Sequence, residues 1–129
     1  MKADQLKPTE AELEILQALW EKGPCTVRQV HEHLCRRKET GYTTTLKIMQ
    51  IMTEKGLLKR DETQRTHVYH ANVEEKDVKR QLLDRFLETV FGGSATALVM
   101  HALGNKQPSL EELQQIRQLI DQIEKGGAQ

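Results

Sequence analysis

Between Gly41 and Gly56 the sequence sets hydroxyls, one ammonium and one carboxamide close together, in Tyr42-Thr43-Thr44-Thr45-Leu46-Lys47-Ile48-Met49-Gln50. On a helix turning about 100° per residue, Thr43, Lys47, Gln50 and Glu54 share one side, while Thr45, Ile48, Met49 and Met52 share the other. The polar side carries almost nothing bulky. Such groups can hydrogen-bond base edges and phosphates in a DNA major groove. The same pattern also describes an ordinary amphipathic surface helix, so the neighbouring elements have to decide between the two.

Two other kinds of chemistry can be tested on spacing. His31, His33 and Cys35 stand at i, i+2 and i+4 of one predicted helix. That turns His33 away from the other two and leaves two ligands, too few for a structural zinc site. Glu10, Glu12 and Glu14 read as a solvated helix face, and there is no Gly-rich phosphate loop or nucleophile motif. His67 and His70 fall on opposite faces of a predicted strand, as packing or backbone-contacting residues. The expectation is a protein with no catalytic residue, no metal and no cofactor, and so not an enzyme.

A chain of 129 residues and 14.8 kDa makes one ordinary domain, or a small domain with an oligomerisation extension. Its hydrophobic content of 37% and aromatic content of 4% make a lean core, which suits a helical tail that buries its apolar face only against a partner. The formal net charge is zero, yet residues 22–73 carry ten Lys/Arg against five Asp/Glu, whereas residues 74–129 carry seven against nine. The basic excess is therefore confined to the segment around the polar helix, a modest footprint for an anionic partner. Cys25 and Cys35, unpatterned in a chain without a signal peptide, read as reduced thiols of a cytoplasmic protein. No apolar run approaches the roughly 18 residues a membrane span needs, so no membrane insertion is expected.

The elements that must position the polar helix are signalled locally. Thr9 and Glu12 have the spacing of a capping box and open a first helix with Leu13, Ile15, Leu16, Leu19 and Trp20 on its apolar face, ended by Gly23-Pro24. Thr26 to Gln29 repeats the box and starts a second helix on Val27, Val30 and Leu34. It runs out through Arg36-Arg37-Lys38, either a phosphate clamp or cations at a helix C-terminus. After the polar helix stops at Lys55-Gly56, Leu57 to Asp61 and Thr66 to Ala71 read as two short strands around a polar tip, Glu62 to Arg65. Asn72-Val73-Glu74-Glu75 reads as a further cap, opening a long helix to about Phe91. Gly92-Gly93 breaks it, an apolar helix follows from Ser94 to Leu103, and Ser109 with Glu112 caps a last one. The last helix carries Leu113, Ile116, Ile120 and Ile123 at spacings of three and four, and at about 17 residues it is too short to stand alone in water.

Three short helices followed by a two-stranded hairpin is the order of a winged helix-turn-helix. In detail the chain resembles the BlaI/MecI family of transcriptional repressors, the penicillinase-repressor type. The likeness lies in Leu6 to Glu12 leading to Leu19-Trp20, in Thr26-Val27-Arg28, in Tyr42-Thr43-Thr44-Thr45 leading to Met52 through Leu57, and in Arg65 through Tyr69. It is close over residues 6–71 and rests on helix pattern alone over 74–125.

The resemblance implies a mainly α fold, with a winged-helix DNA-binding domain over 1–73 and a helical dimerisation domain over 74–129. It implies a homodimeric repressor on a palindromic double-stranded operator, with the third helix in the major groove and the wing along the backbone. Carried over by position, Thr43, Thr44 and Lys47 become the leading contacts, with Gln50 next and Leu46 either touching a thymine methyl or packing inward. Arg65 at the hairpin tip and Arg60 on the preceding strand become candidate phosphate or minor-groove contacts. Leu82, Phe86, Leu98, Val99, Leu113, Ile116 and Ile120, on the uncompensated apolar faces, are the expected dimerisation residues.

Family members that control β-lactam resistance are cut at an Asn-Phe bond through a membrane sensor pathway. Here His101-Ala102 stands at that position, so release by proteolysis stays open and an antibiotic-resistance role is not implied. The related copper-responsive repressors carry a C-terminal Cys-x-Cys, and this chain has no cysteine beyond Cys35. A winged-helix module that binds protein instead of DNA is the alternative. The small hydroxyl-rich start of the third helix argues against it, because protein-docking surfaces present aromatic or arginine anchors.

Overall fold

A computed structural model describes residues 7–126, so Leu6 of the opening motif lies outside the described residues. The elements run α1 (Glu10–Lys22), α2 (Val27–Cys35), α3 (Tyr42–Lys55), β1 (Leu58–Asp61), β2 (Val68–Ala71), α4 (Glu75–Phe91), α5 (Ala95–Lys106) and α6 (Leu110–Lys125). The chain separates into two compact units, residues 1–83 and 84–129, and the division falls within α4.

In the first unit the helix starts are made by local side chains. The Thr9 N–H donates to Glu12 Oε1 (2.9 Å) while the Glu12 N–H donates to Thr9 Oγ1 (3.1 Å), and Thr26 with Gln29 does the same for α2 (2.9 and 3.2 Å). Gly56 ends α3 at φ 90°, the left-handed cap that the Lys55-Gly56 pair predicts. Ile15, Leu16 and Leu19 of α1 meet Val30 and Leu34 of α2, Met49 and Met52 of α3, and Leu57, Leu58 and Tyr69 in one core. Trp20 is only partly buried, and its indole N–H donates to Val73 O (3.1 Å).

The wing is an antiparallel pair in which Leu58 faces Ala71 and Arg60 faces Tyr69. A third short edge joins it where Cys25 and Tyr69 exchange backbone hydrogen bonds (3.1 and 2.8 Å). The strands are shorter than the sequence suggests: Leu57 precedes β1, and Thr66 and His67 precede β2. His67 is therefore a loop residue, and only His70 lies on the strand. Asn72 does not cap α4; its carboxamide donates to Gly56 O (3.1 Å) and its N–H to Leu57 O (2.8 Å), closing the wing onto the end of α3.

Glu12 corrects the picture of a solvated acidic face. It is buried, at 4% exposure, and its Oε2 accepts from Lys55 Nζ at 2.7 Å. One carboxylate thereby joins the start of α1 to the last turn of α3. An unpaired carboxylate would not stay buried there; the backbone donor and the ammonium offset its desolvation.

In the second unit the Phe91 ring meets Phe86 (centroids 5.7 Å) and His101 (5.9 Å), both edge-on. No described residue of α5 or α6 is buried. Among the described residues no single helix is long and apolar enough to cross a membrane.

Candidate nucleic-acid interface

The residues that aim α3 and those that it presents separate cleanly. Thr45, Met49 and Met52 are buried, and the Thr45 hydroxyl donates back to Gly41 O (3.3 Å). Thr43, Thr44, Lys47 and Gln50 are exposed on the opposite side. Leu46 is half-buried and packs against the core. Gly41 offers no side-chain cap, so the first-turn N–H groups stay open at the positive end of the helix dipole.

Beside this face lies an open cleft of about 490 Å³ between the start of α2, the start of α3 and the wing, lined among others by Arg28, Tyr42, Leu46, Arg65, His67 and Tyr69. Tyr42 is held between two α2 side chains. The His31 ring meets it edge-on at 5.6 Å, and the Arg28 guanidinium carbon sits over it at 5.5 Å. Arg28, Tyr42 and His67 carry no local sequence signal for this arrangement, because they come together only when α2, α3 and the wing pack.

Among the described residues some cations of the first unit are ion-paired and others, including Lys22, Arg36, Arg37 and Lys59 away from the exposed face of α3, are not. Lys38 pairs with Glu14 (2.9 Å), Lys55 with Glu12, and Arg60 with Glu62 through Nε (2.6 Å) and Nη2. Among the described residues Arg28, Lys47 and Arg65 have no carboxylate within ion-pair distance, and they lie on or beside the exposed face of α3. Arg60, expected at the backbone, is engaged within the wing: its hydrogen bond with the Tyr69 hydroxyl, and then that with Glu62, raise its pKa further. A phosphate would have to replace Glu62 there. Asp61, at the turn into the tip, accepts from the Thr63 N–H (3.0 Å), and this bond, followed by that of the Thr63 hydroxyl, lowers its pKa.

Among the described residues the remaining titratable side chains build no second site. Cys35 Sγ lies 3.6 Å from His31 Nε2, while His33 faces elsewhere with its Nδ1 buried and unpartnered. Among the described residues no three His, Cys, Asp or Glu side chains converge to hold a metal ion. Cys25 is buried, and burial pushes its thiol pKa up, partly opposed by the Lys22 charge. His101 and Ala102 are exposed on α5. Of the expected dimerisation residues, Phe86 (47%), Val99 (47%) and Ile120 (51%) are exposed, whereas Leu82, Leu98, Leu113 and Ile116 are half-buried.

Comparison with known proteins agrees with this geometry. The sequence pattern of the penicillinase repressor family matches residues 8–122. The penicillinase repressor of Staphylococcus aureus is 22% identical over 94% of this chain and 96% of its own length. The transcriptional regulator BlaI of Mycobacterium tuberculosis is 29% identical over 91% of this chain and 85% of its own. Among solved structures, the Bacillus licheniformis BlaI monomeric form in complex with the blaP half-operator is 24% identical, with a TM-score of 0.50 over 56% of this chain and 88% of that one, which shows the winged-helix fold. With most of its length matched, the chain belongs to the penicillinase repressor family, whose members are DNA-binding transcriptional repressors and not enzymes.

Proposed function

We propose that this protein represses transcription as a homodimer on a palindromic operator, read by Thr43, Thr44 and Lys47, with Gln50 and Leu46 at the flank. The observation that carries the reading is the exposed polar face of α3, bordered by Arg28 and Arg65, which no carboxylate among the described residues neutralises. Small hydroxyls let the helix approach base edges closely, and Lys47 supplies a donor that matches guanine or phosphate. Arg65 contacts the backbone from the wing tip, and Arg60 joins it by exchanging Glu62 for a phosphate. In keeping with this, the B. licheniformis relative is a BlaI bound to a half-operator.

The dimer is supported by the uncovered apolar residues of α4 to α6, whose burial against a second copy would remove them from water. Two half-sites about one helical turn apart, or a multiple of that, are the geometric consequence. Release by proteolysis would act in the same region, at His101-Ala102, and would require local unwinding of α5. Selection of duplexes from a random pool tests the whole reading. The expected product is an inverted repeat whose affinity falls steeply with salt, and sedimentation should give a dimer at micromolar concentration. A pool with no enriched sequence would refute operator recognition, and a monomer would refute the dimer.

A further inference from the structure

We propose that Arg28 is a contact to a DNA backbone phosphate and that Tyr42 is the positioning residue that holds its guanidinium in place; this rests on the operator reading above. Arg28 stands on the first turn of α2, exposed, with no carboxylate partner among the described residues, and its guanidinium carbon lies 5.5 Å from the centre of the Tyr42 ring. A cation–π contact at this distance leaves the N–H groups turned away from the ring free to grip phosphate oxygens. A lysine in the same place would present a single point charge and not the bidentate fork.

Tyr42 is itself fixed. His31 meets its ring edge-on from the next turn of α2, and Tyr42 is the first residue of α3. The contact thus ties the Arg28 guanidinium to the position of the recognition helix, so less conformational freedom is left to lose when a phosphate binds. Arg65 lines the same cleft from the wing. With α3 in the groove, one cation on α2 and one on the wing would flank the duplex backbone, each adding affinity without sequence choice.

The test uses the full chain, the duplex selected from the random pool and a scrambled duplex of equal length, with anisotropy read from about 50 to about 200 mM salt. Arg28→Ala should weaken both duplexes roughly tenfold at low salt and reduce the slope of log affinity against log salt by about 0.9. Arg28→Lys should keep the slope while losing roughly threefold in affinity, Tyr42→Leu should lose roughly threefold on both duplexes, and Tyr42→Phe should match the wild type. Trp20 fluorescence checks that each variant is folded. An unchanged slope in Arg28→Ala, or a loss confined to the selected duplex, would overturn the phosphate contact. Unaltered binding by Tyr42→Leu would overturn the positioning role. Both results require a wild type that prefers the selected duplex; a wild type that binds no DNA overturns the operator reading and this assignment together.

Discussion

The Glu12–Lys55 pair allows a quantitative test of what aims α3. Glu12 has a side-chain exposure of 5% and Lys55 one of 44%, so the pair is neither fully buried nor a surface pair. Breaking a buried pair costs about 3–5 kcal/mol, and an exposed pair is worth roughly 0–1. A half-solvated ammonium on a buried carboxylate falls between, at about 1.5 kcal/mol. Lys55→Met should destabilise the first unit by about that amount, which lowers its melting midpoint by roughly 6–12 °C. Glu12→Gln keeps an acceptor for the Thr9 N–H but turns the charge off, with a similar cost. The double variant should then lose about 1 kcal/mol less than the sum of the two. Urea unfolding followed by Trp20 fluorescence gives all three values, since the only tryptophan is anchored to Val73 O within this unit. Additivity within about 0.3 kcal/mol would refute the coupling and leave α3 aimed by apolar packing alone.

Cys35 should react with a thiol reagent in the native protein and Cys25 only on unfolding; because burial raises the Cys25 pKa in the folded state, stability should fall as pH climbs past the ordinary thiol value of 9.0, where the unfolded thiol ionises first. Asp61 is depressed by the Thr63 N–H and then the Thr63 hydroxyl, so its contribution to the wing is present above the ordinary carboxyl value of 3.8 and is lost as pH falls through the lower folded value; the Thr63 amide resonance should report that titration below 3.8. Gly56→Ala places a side chain at φ 90°, where open space removes any clash but the backbone remains strained, and should cost about 1 kcal/mol in urea unfolding.

The helix starts were legible because capping is local: Thr9 with Glu12, Thr26 with Gln29 and Ser109 with Glu112 each close a box within three residues. The inner and outer faces of α3 followed from helical period, which separates Thr45, Met49 and Met52 from Thr43, Lys47 and Gln50. Contacts made across the fold left no such trace. Glu12 looked like one of three solvated acids because its ammonium partner is 43 residues away. Arg60 reads as a candidate phosphate or minor-groove contact because its hydroxyl partner, Tyr69, becomes its neighbour only when β1 pairs with β2. Arg28 and Tyr42 belong to separate helices, and the third edge of the wing, Cys25 against Tyr69, joins residues far apart in the chain.

On this geometry the exposed side of α3 reads sequence. That role is tested most directly by the ratio of affinities for the selected and scrambled duplexes in Thr44→Ala and Lys47→Ala, measured at one salt concentration. The ratio should collapse in both variants, with Thr44→Ala keeping its affinity for scrambled DNA, since a hydroxyl to a base edge carries choice and little charge. A ratio unchanged from wild type in both variants would contradict it and move the reading surface off this helix.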